Sequence, residues 1–151
     1  MSVLVGLSLL PLSALAQTEP VATYRMQPEA PDYHAWITQL SVGESTRDRG
    51  AADSVVYRRY RVAVPTSEIY STVIIERVSY GLEGSDARVD WARRVALYPF
   101  NQAFGLRGTA ISGLVVGPWA APNVFEFTVQ SRRFVATITS DSTVDVREKA
   151  R

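Results

Sequence analysis

Apolar and polar side chains alternate with a period of two over much of the chain. In 55–64, Val56, Tyr60, Val62 and Val64 share one parity, broken by Arg58, while Arg59 and Arg61 share the other. That spacing predicts a strand with the two arginines on its wet face. Pro65 ends the run by removing a ladder donor. Residues 70–80 repeat the pattern, with Tyr70, Thr72, Ile74, Val78 and Tyr80 forming a mostly apolar set that Glu76 interrupts. Further on, Phe125, Phe127 and Val129 alternate with Glu126 and Thr128, and Phe134, Ala136 and Ile138 with Val135, Thr137 and Thr139. Val144 and Val146 follow in a last short strand. With turns at Ser131-Arg132 and Asp141-Ser142, these three segments read as an antiparallel meander.

The remaining segments are less periodic. Residues 35–42 read as a short strand carrying Trp36, Ile37 and Leu40. Residues 43–50 are polar, charged and bounded by glycines, which predicts a solvated loop. Over 87–99 a strand places Ala87, Val89, Trp91, Val95 and Leu97 on one face, with Arg93 the one violation. A helix capped by Asp86, with an Asp90–Arg94 pair and an apolar stripe, is the alternative. Residues 102–117 are glycine-rich, consistent with a bulged strand or an irregular loop, and 118–122 read as a rigid Pro-Trp-Ala-Ala-Pro connector. The expected fold is all-β: one antiparallel sandwich or barrel of about seven or eight strands, or α+β if 86–99 is helical.

The amino end changes the picture. Residues 1–16 hold an uncharged apolar run followed by Ala14-Leu15-Ala16, a small-residue cleavage pattern. The run is shorter than the about 20 residues a spanning helix needs, and Pro11 interrupts it. A removable export signal is the expectation, although no basic residue precedes Arg25. Residues 17–34, with Pro20, Pro28 and Pro31, read as a flexible lead-in. The β-rich domain is expected over 35–147, with 148–151 a polar tail. The chain has no cysteine, so an exported domain would have burial alone to hold it. About 135 residues are enough for that, since a chain of this size buries about two-thirds of its surface. The expected location is therefore the periplasm or the exterior of a bacterial cell.

Charge excludes one class of partner. Sixteen basic residues face fifteen acidic ones, a balance that speaks against nucleic acid, which demands a dense basic surface. Only Lys149 among the basic residues is lysine. Catalytic groups are sparse. His34, two residues from Asp32, has no nucleophile-elbow serine beside it. With one histidine and no cysteine, no metal site is expected, and no cofactor motif is present. Glu76, interrupting an apolar face, is either half of a hydrolase pair or one side of a cross-strand ion pair with an arginine such as Arg58. Trp36, Tyr57, Arg59, Arg61, Trp91 and Trp119 are the candidate ligand-binding residues, on the chemistry of aromatic and guanidinium contacts. These features point to a non-catalytic binding or envelope-assembly module whose partner is an envelope protein or glycan. The alternatives are a barrel holding a small apolar ligand and a small hydrolase using Glu76 or His34. An integral outer-membrane barrel is disfavoured, because charges fall on both faces of several strands.

Overall fold

The computed structural model describes residues 21–29, 37–50, 54–65, 72–96 and 114–150. They form eleven strands: β1 (Val21–Arg25), β2 (Gln27–Pro28), β3 (Ile37–Val42), β4 (Thr46–Arg49), β5 (Val55–Pro65), β6 (Thr72–Tyr80), β7 (Arg88–Ala96), β8 (Val115–Ala121), β9 (Val124–Val129), β10 (Arg132–Ile138) and β11 (Thr143–Glu148). Every pairing is antiparallel. One sheet has five strands in the order β1-β11-β10-β9-β8. The other has six, β2-β7-β6-β5-β3 with β4 also paired to β5. The all-β expectation therefore holds, as a two-sheet sandwich. Segment 88–96 is a strand, and the local helical element beside it is a single 3-10 turn at Leu82–Gly84. Among the described residues, no helix is long and apolar enough to cross a membrane.

The core lies between the sheets. Phe125, Phe127 and Val129 of β9, Phe134, Ala136 and Ile138 of β10, and Val144 and Val146 of β11 meet Val62, Val64, Val73, Ile75 and Val95 from the six-stranded sheet. Period-two alternation puts each set on one face. The strand β6 departs from simple alternation. Val73 and Ile75 point into the sandwich, whereas Ile74 joins Ala63 and Ala92 in a second buried cluster on the opposite face. A central strand buried on both sides reads as a continuous apolar run, as Val73-Ile74-Ile75 does. Between the sheets, the void lined by Ile75, Phe125, Phe127 and Ala136 is about 10 Å³, about one water's worth.

Both flanks of the sandwich are closed. On one, the chain runs through β1 in the five-stranded sheet, buries Met26 in the core and continues as β2 beside β7. The Met26 N–H donates to Ser142 O at 2.7 Å and the Glu29 N–H to Ala92 O at 3.1 Å, one bond to each sheet. A strand that switches sheets is a known way to turn such a corner. On the other flank, the Gln39 side-chain amide donates to Leu114 O (2.6 Å) and accepts from the Val116 N–H (3.3 Å), so β3 is stitched to β8. Trp119 Nε1 donates to Ser41 Oγ at 2.9 Å. Its indole lies over Gly43, where an added Cβ would come within 2.9 Å of the ring.

Several expectations are corrected. Part of the segment read as a lead-in, 21–28, is β1 and β2, paired with β11 and β7, and Ala22, Tyr24 and Met26 alternate toward the core while Thr23 and Arg25 face out. Residues 46–49, read as loop, are the edge strand β4, whose four side chains are all exposed and so left no apolar stripe to read. The connector 118–122 lies largely within β8, where a register shift and a cis Gly117–Pro118 bond take up the proline. The tight turn before β10 is Gln130-Ser131, one residue earlier than expected, with both residues in the left-handed region (φ 49° and 65°), as a type I′ hairpin requires. Segments 1–20, 30–36 and 97–113, with the proposed export signal, His34 and Trp36, lie outside the described residues.

The tail read at 148–151 begins inside the fold. Arg132 forks onto Glu148 (2.8 and 2.6 Å), and the Lys149 N–H donates to Arg133 O. Lys149 Nζ (2.5 Å) and Arg133 Nη2 (2.8 Å) both donate to the largely buried Glu126 carboxylate, Lys149 contributing most to holding its pKa below the usual carboxylate range. A folded pKa below the unfolded one gives stability that is complete at neutral pH and lost as pH falls through the folded value. Thermal melts in acid should therefore show wild type losing stability as pH drops below about 4.5. The Glu126→Gln variant should show a shallower slope there.

Candidate functional site

The outer face of the six-stranded sheet carries three of the residues singled out from sequence. Opposed positions in antiparallel strands share a face, and the register sets Arg47 of β4, Tyr57 of β5 and Tyr80 of β6 in one row. Tyr57 and Tyr80 stack with centroids 5.6 Å apart and planes at 19°. The next row is Arg59, Val78 and Val89, and the Arg59 guanidinium lies over the Tyr80 ring, 5.2 Å from its centroid. The row after that is Val42, Arg61, Glu76 and Ala92. Stacking on tyrosine holds the Arg59 guanidinium in place, with its Nε buried. Among the described residues, Arg47, Arg49 and Arg59 form no ion pair. Val89, 40% exposed, extends the face as an apolar patch.

Arg61 belongs to this face but is committed. Its Nε and Nη2 lie 2.6 and 2.5 Å from Glu76 Oε2, and Glu76 is 1% exposed. The ion pair expected for Glu76 thus exists, with Arg61 as its partner instead of Arg58. Arg58 pairs with Asp48 across β4–β5. A general acid must touch its substrate, and a carboxylate this buried and this close to a guanidinium is poorly placed for that.

The remaining two described candidates are elsewhere. Trp119 sits in the β3–β8 seam, packed on Phe125 with centroids 5.3 Å apart. Trp91 faces the sandwich interior beside Tyr60, with the Arg77 and Arg93 guanidiniums 5.7 and 5.4 Å from its ring centroid. Its indole Nε1 is buried with no hydrogen-bond partner. These two aromatics are largely occupied by packing, the commoner fate of tryptophan on a sheet.

Sequence reading passed over a groove where the two sheets part. Thr46, Asp48, Arg58, Tyr60 and Arg77 form one wall and Pro122, Asn123 and Ile138 the other, around about 460 Å³. That is within the range of small-ligand sites. Beside it, Asp90 accepts from Ser79 Oγ (2.5 Å) and pairs with Arg77 and Arg88 at 3.2 and 3.3 Å. Glu44 and Arg59 also line the groove, so Arg59 borders both it and the outer face, while Arg58 and Arg77 are paired with Asp48 and Asp90. The parity of Arg58 and Arg77, each breaking an apolar run, was the available clue. No group of acidic and histidine side chains suited to a metal ion occurs among the described residues. Compared with known proteins, the chain matches no family model, no curated protein and no solved structure.

Proposed function

We propose that this protein is an exported, non-catalytic binding module that engages an envelope partner through the β4–β5–β6 end of its six-stranded sheet. One observation carries the reading: Arg47 and Arg59 flank the Tyr57–Tyr80 stack, Arg49 lies further along the same face, and among the described residues none of the three is ion-paired, next to exposed Val89. Binding surfaces are enriched in arginine and tyrosine for their contact area and their rigid donors. The filled core, with its void of about 10 Å³, favours this reading over a ligand-holding barrel. The buried, paired Glu76 favours it over a hydrolase. Export rests on the sequence of residues 1–16.

Site-specific photo-crosslinking in cells tests the surface. A crosslinker at Val89 is expected to give a discrete adduct, and one at Thr128, on the far face of the other sheet, none. Absence of an adduct from Val89 overturns the reading, as does turnover of esters or glycosides that Glu76→Gln abolishes. N-terminal sequencing of the fractionated protein is expected to begin at Gln17; recovery of intact Met1 from the cytoplasm would end the export claim.

A further inference from the structure

The edge of the six-stranded sheet at β4 combines three properties. The first is an available backbone. Gly50 N–H donates to Ser54 O at 2.7 Å, and the register sets Asp48 opposite Val56 and Thr46 opposite Arg58. Ladder bonds alternate along an antiparallel pair. The Thr46 and Asp48 backbones therefore turn toward β5, and the N–H and C=O groups of Arg47 and Arg49 turn outward. No strand pairs with that side of β4 among the described residues.

The second property is charge. Arg47 and Arg49 project from the same face as Tyr57, both exposed and, among the described residues, both without an acidic partner, while Asp48 between them points the other way and is neutralised by Arg58. The third is spacing. Alternate residues of a strand lie about 6.8 Å apart on one face, so Arg47 and Arg49 repeat at the interval at which an extended peptide presents every second side chain. Side chains of opposite parity on such a peptide would lie beside Thr46 and Asp48, toward the groove.

Resting on the binding-module reading above, we propose that β4 accepts an extended peptide from a partner protein as a further strand, with carboxylates at alternate positions set against Arg47 and Arg49. Strand addition to a sheet edge draws affinity from main-chain hydrogen bonds and specificity from alternate side chains. A peptide fits better than an acidic glycan. Tyr80 has Tyr57 on one side and the Arg59 guanidinium over its ring, its hydroxyl is hydrogen-bonded to Ser45, and Trp91 is flanked by two guanidiniums. The aromatic platforms a sugar would stack on are thus in use. Charged edges also serve to prevent unwanted pairing, and the test separates that role from strand addition.

The experiment titrates a labelled peptide alternating Glu and Val into the whole protein and follows backbone amides by NMR hydrogen exchange. Saturable binding that weakens with salt, with new protection at the Arg47 and Arg49 amides, is expected. Arg47→Gln and Arg49→Gln should each weaken binding by about three- to tenfold, with unchanged thermal melts. Methylating the peptide's edge-facing amides should abolish binding. Equal affinity for a peptide of the same composition with its glutamates in one block, or for oligogalacturonate, overturns the proposal in favour of a general polyanion surface. No peptide binding, with crosslinks from Val89 intact, overturns strand addition and leaves the binding module standing. Loss of both removes both.

Discussion

Replacing Phe134 with alanine is expected to cost the fold about 3–5 kcal/mol, the range for removing a fully buried aromatic ring. Phe134 is 0% exposed, in the middle of β10, between β9 and β11. Its ring stacks on Phe127 with centroids 5.3 Å apart and planes at 21°, and the Arg132 guanidinium lies 5.6 Å from its centroid. The neighbours have little freedom to collapse into the space, because the flanking strands are locked in register on both sides. Chemical denaturation would measure the loss. Val115→Ala, at a position 55% exposed on an edge strand, serves as the matched control and should change stability by less than about 0.5 kcal/mol. A Phe134→Ala protein as stable as wild type would mean that the two sheets do not meet as described.

Arg61→Ala should destabilise by a similar amount, about 3–5 kcal/mol, for an electrostatic reason. Removing one partner of a buried ion pair strands the other charge away from water. Glu76 is the buried member at 1% exposed, whereas the Arg61 side chain is 24% exposed. The penalty therefore falls mainly on losing the arginine that faces it. Replacing both partners by apolar residues of similar size, Arg61→Met with Glu76→Leu, should recover most of the loss, since paired removal leaves no uncompensated charge. Equilibrium unfolding of the two single variants and the double variant gives the coupling energy directly. A mild effect of Arg61→Ala, no larger than that of an exposed pair, would show that Glu76 is solvated in solution.

That pair also marks the boundary of what the residue pattern reveals. Alternation was enough to assign β5, β6 and the β9–β11 meander, because each buries one face or both with Val, Ile, Phe and Tyr. It also placed Arg59 and Arg61 on one face. Which arginine meets Glu76 depends on register, and register depends on how the chain turns between β5 and β6. The observed register puts even-numbered positions of β6 opposite odd-numbered positions of β5. Glu76 therefore faces Arg61, and both lie on the outer face. The strands β1, β2 and β4 escaped notice for another reason. The alternation of β1, Ala22 and Tyr24 against Thr23 and Arg25, is short and lies among prolines, β2 has two residues, and Thr46-Arg47-Asp48-Arg49 contains no apolar residue at all. The unpaired state of Arg47 and Arg49 is likewise a fact of three dimensions, since acidic residues sit close to them in sequence.

The pairing of β1 with β11 has a consequence for how the molecule is made. Thr23 Oγ1 donates to Asp145 Oδ1 at 2.6 Å across 122 positions of sequence, so the five-stranded sheet can gain β1 only after β11 has emerged from the ribosome. Distant contacts of this kind carry a large loop-closure entropy and slow folding. Until β11 is synthesised, β1 has no neighbour and Met26 no place to insert. This sheet consequently takes in its last strand late, when residues 21–25 and 143–147 meet.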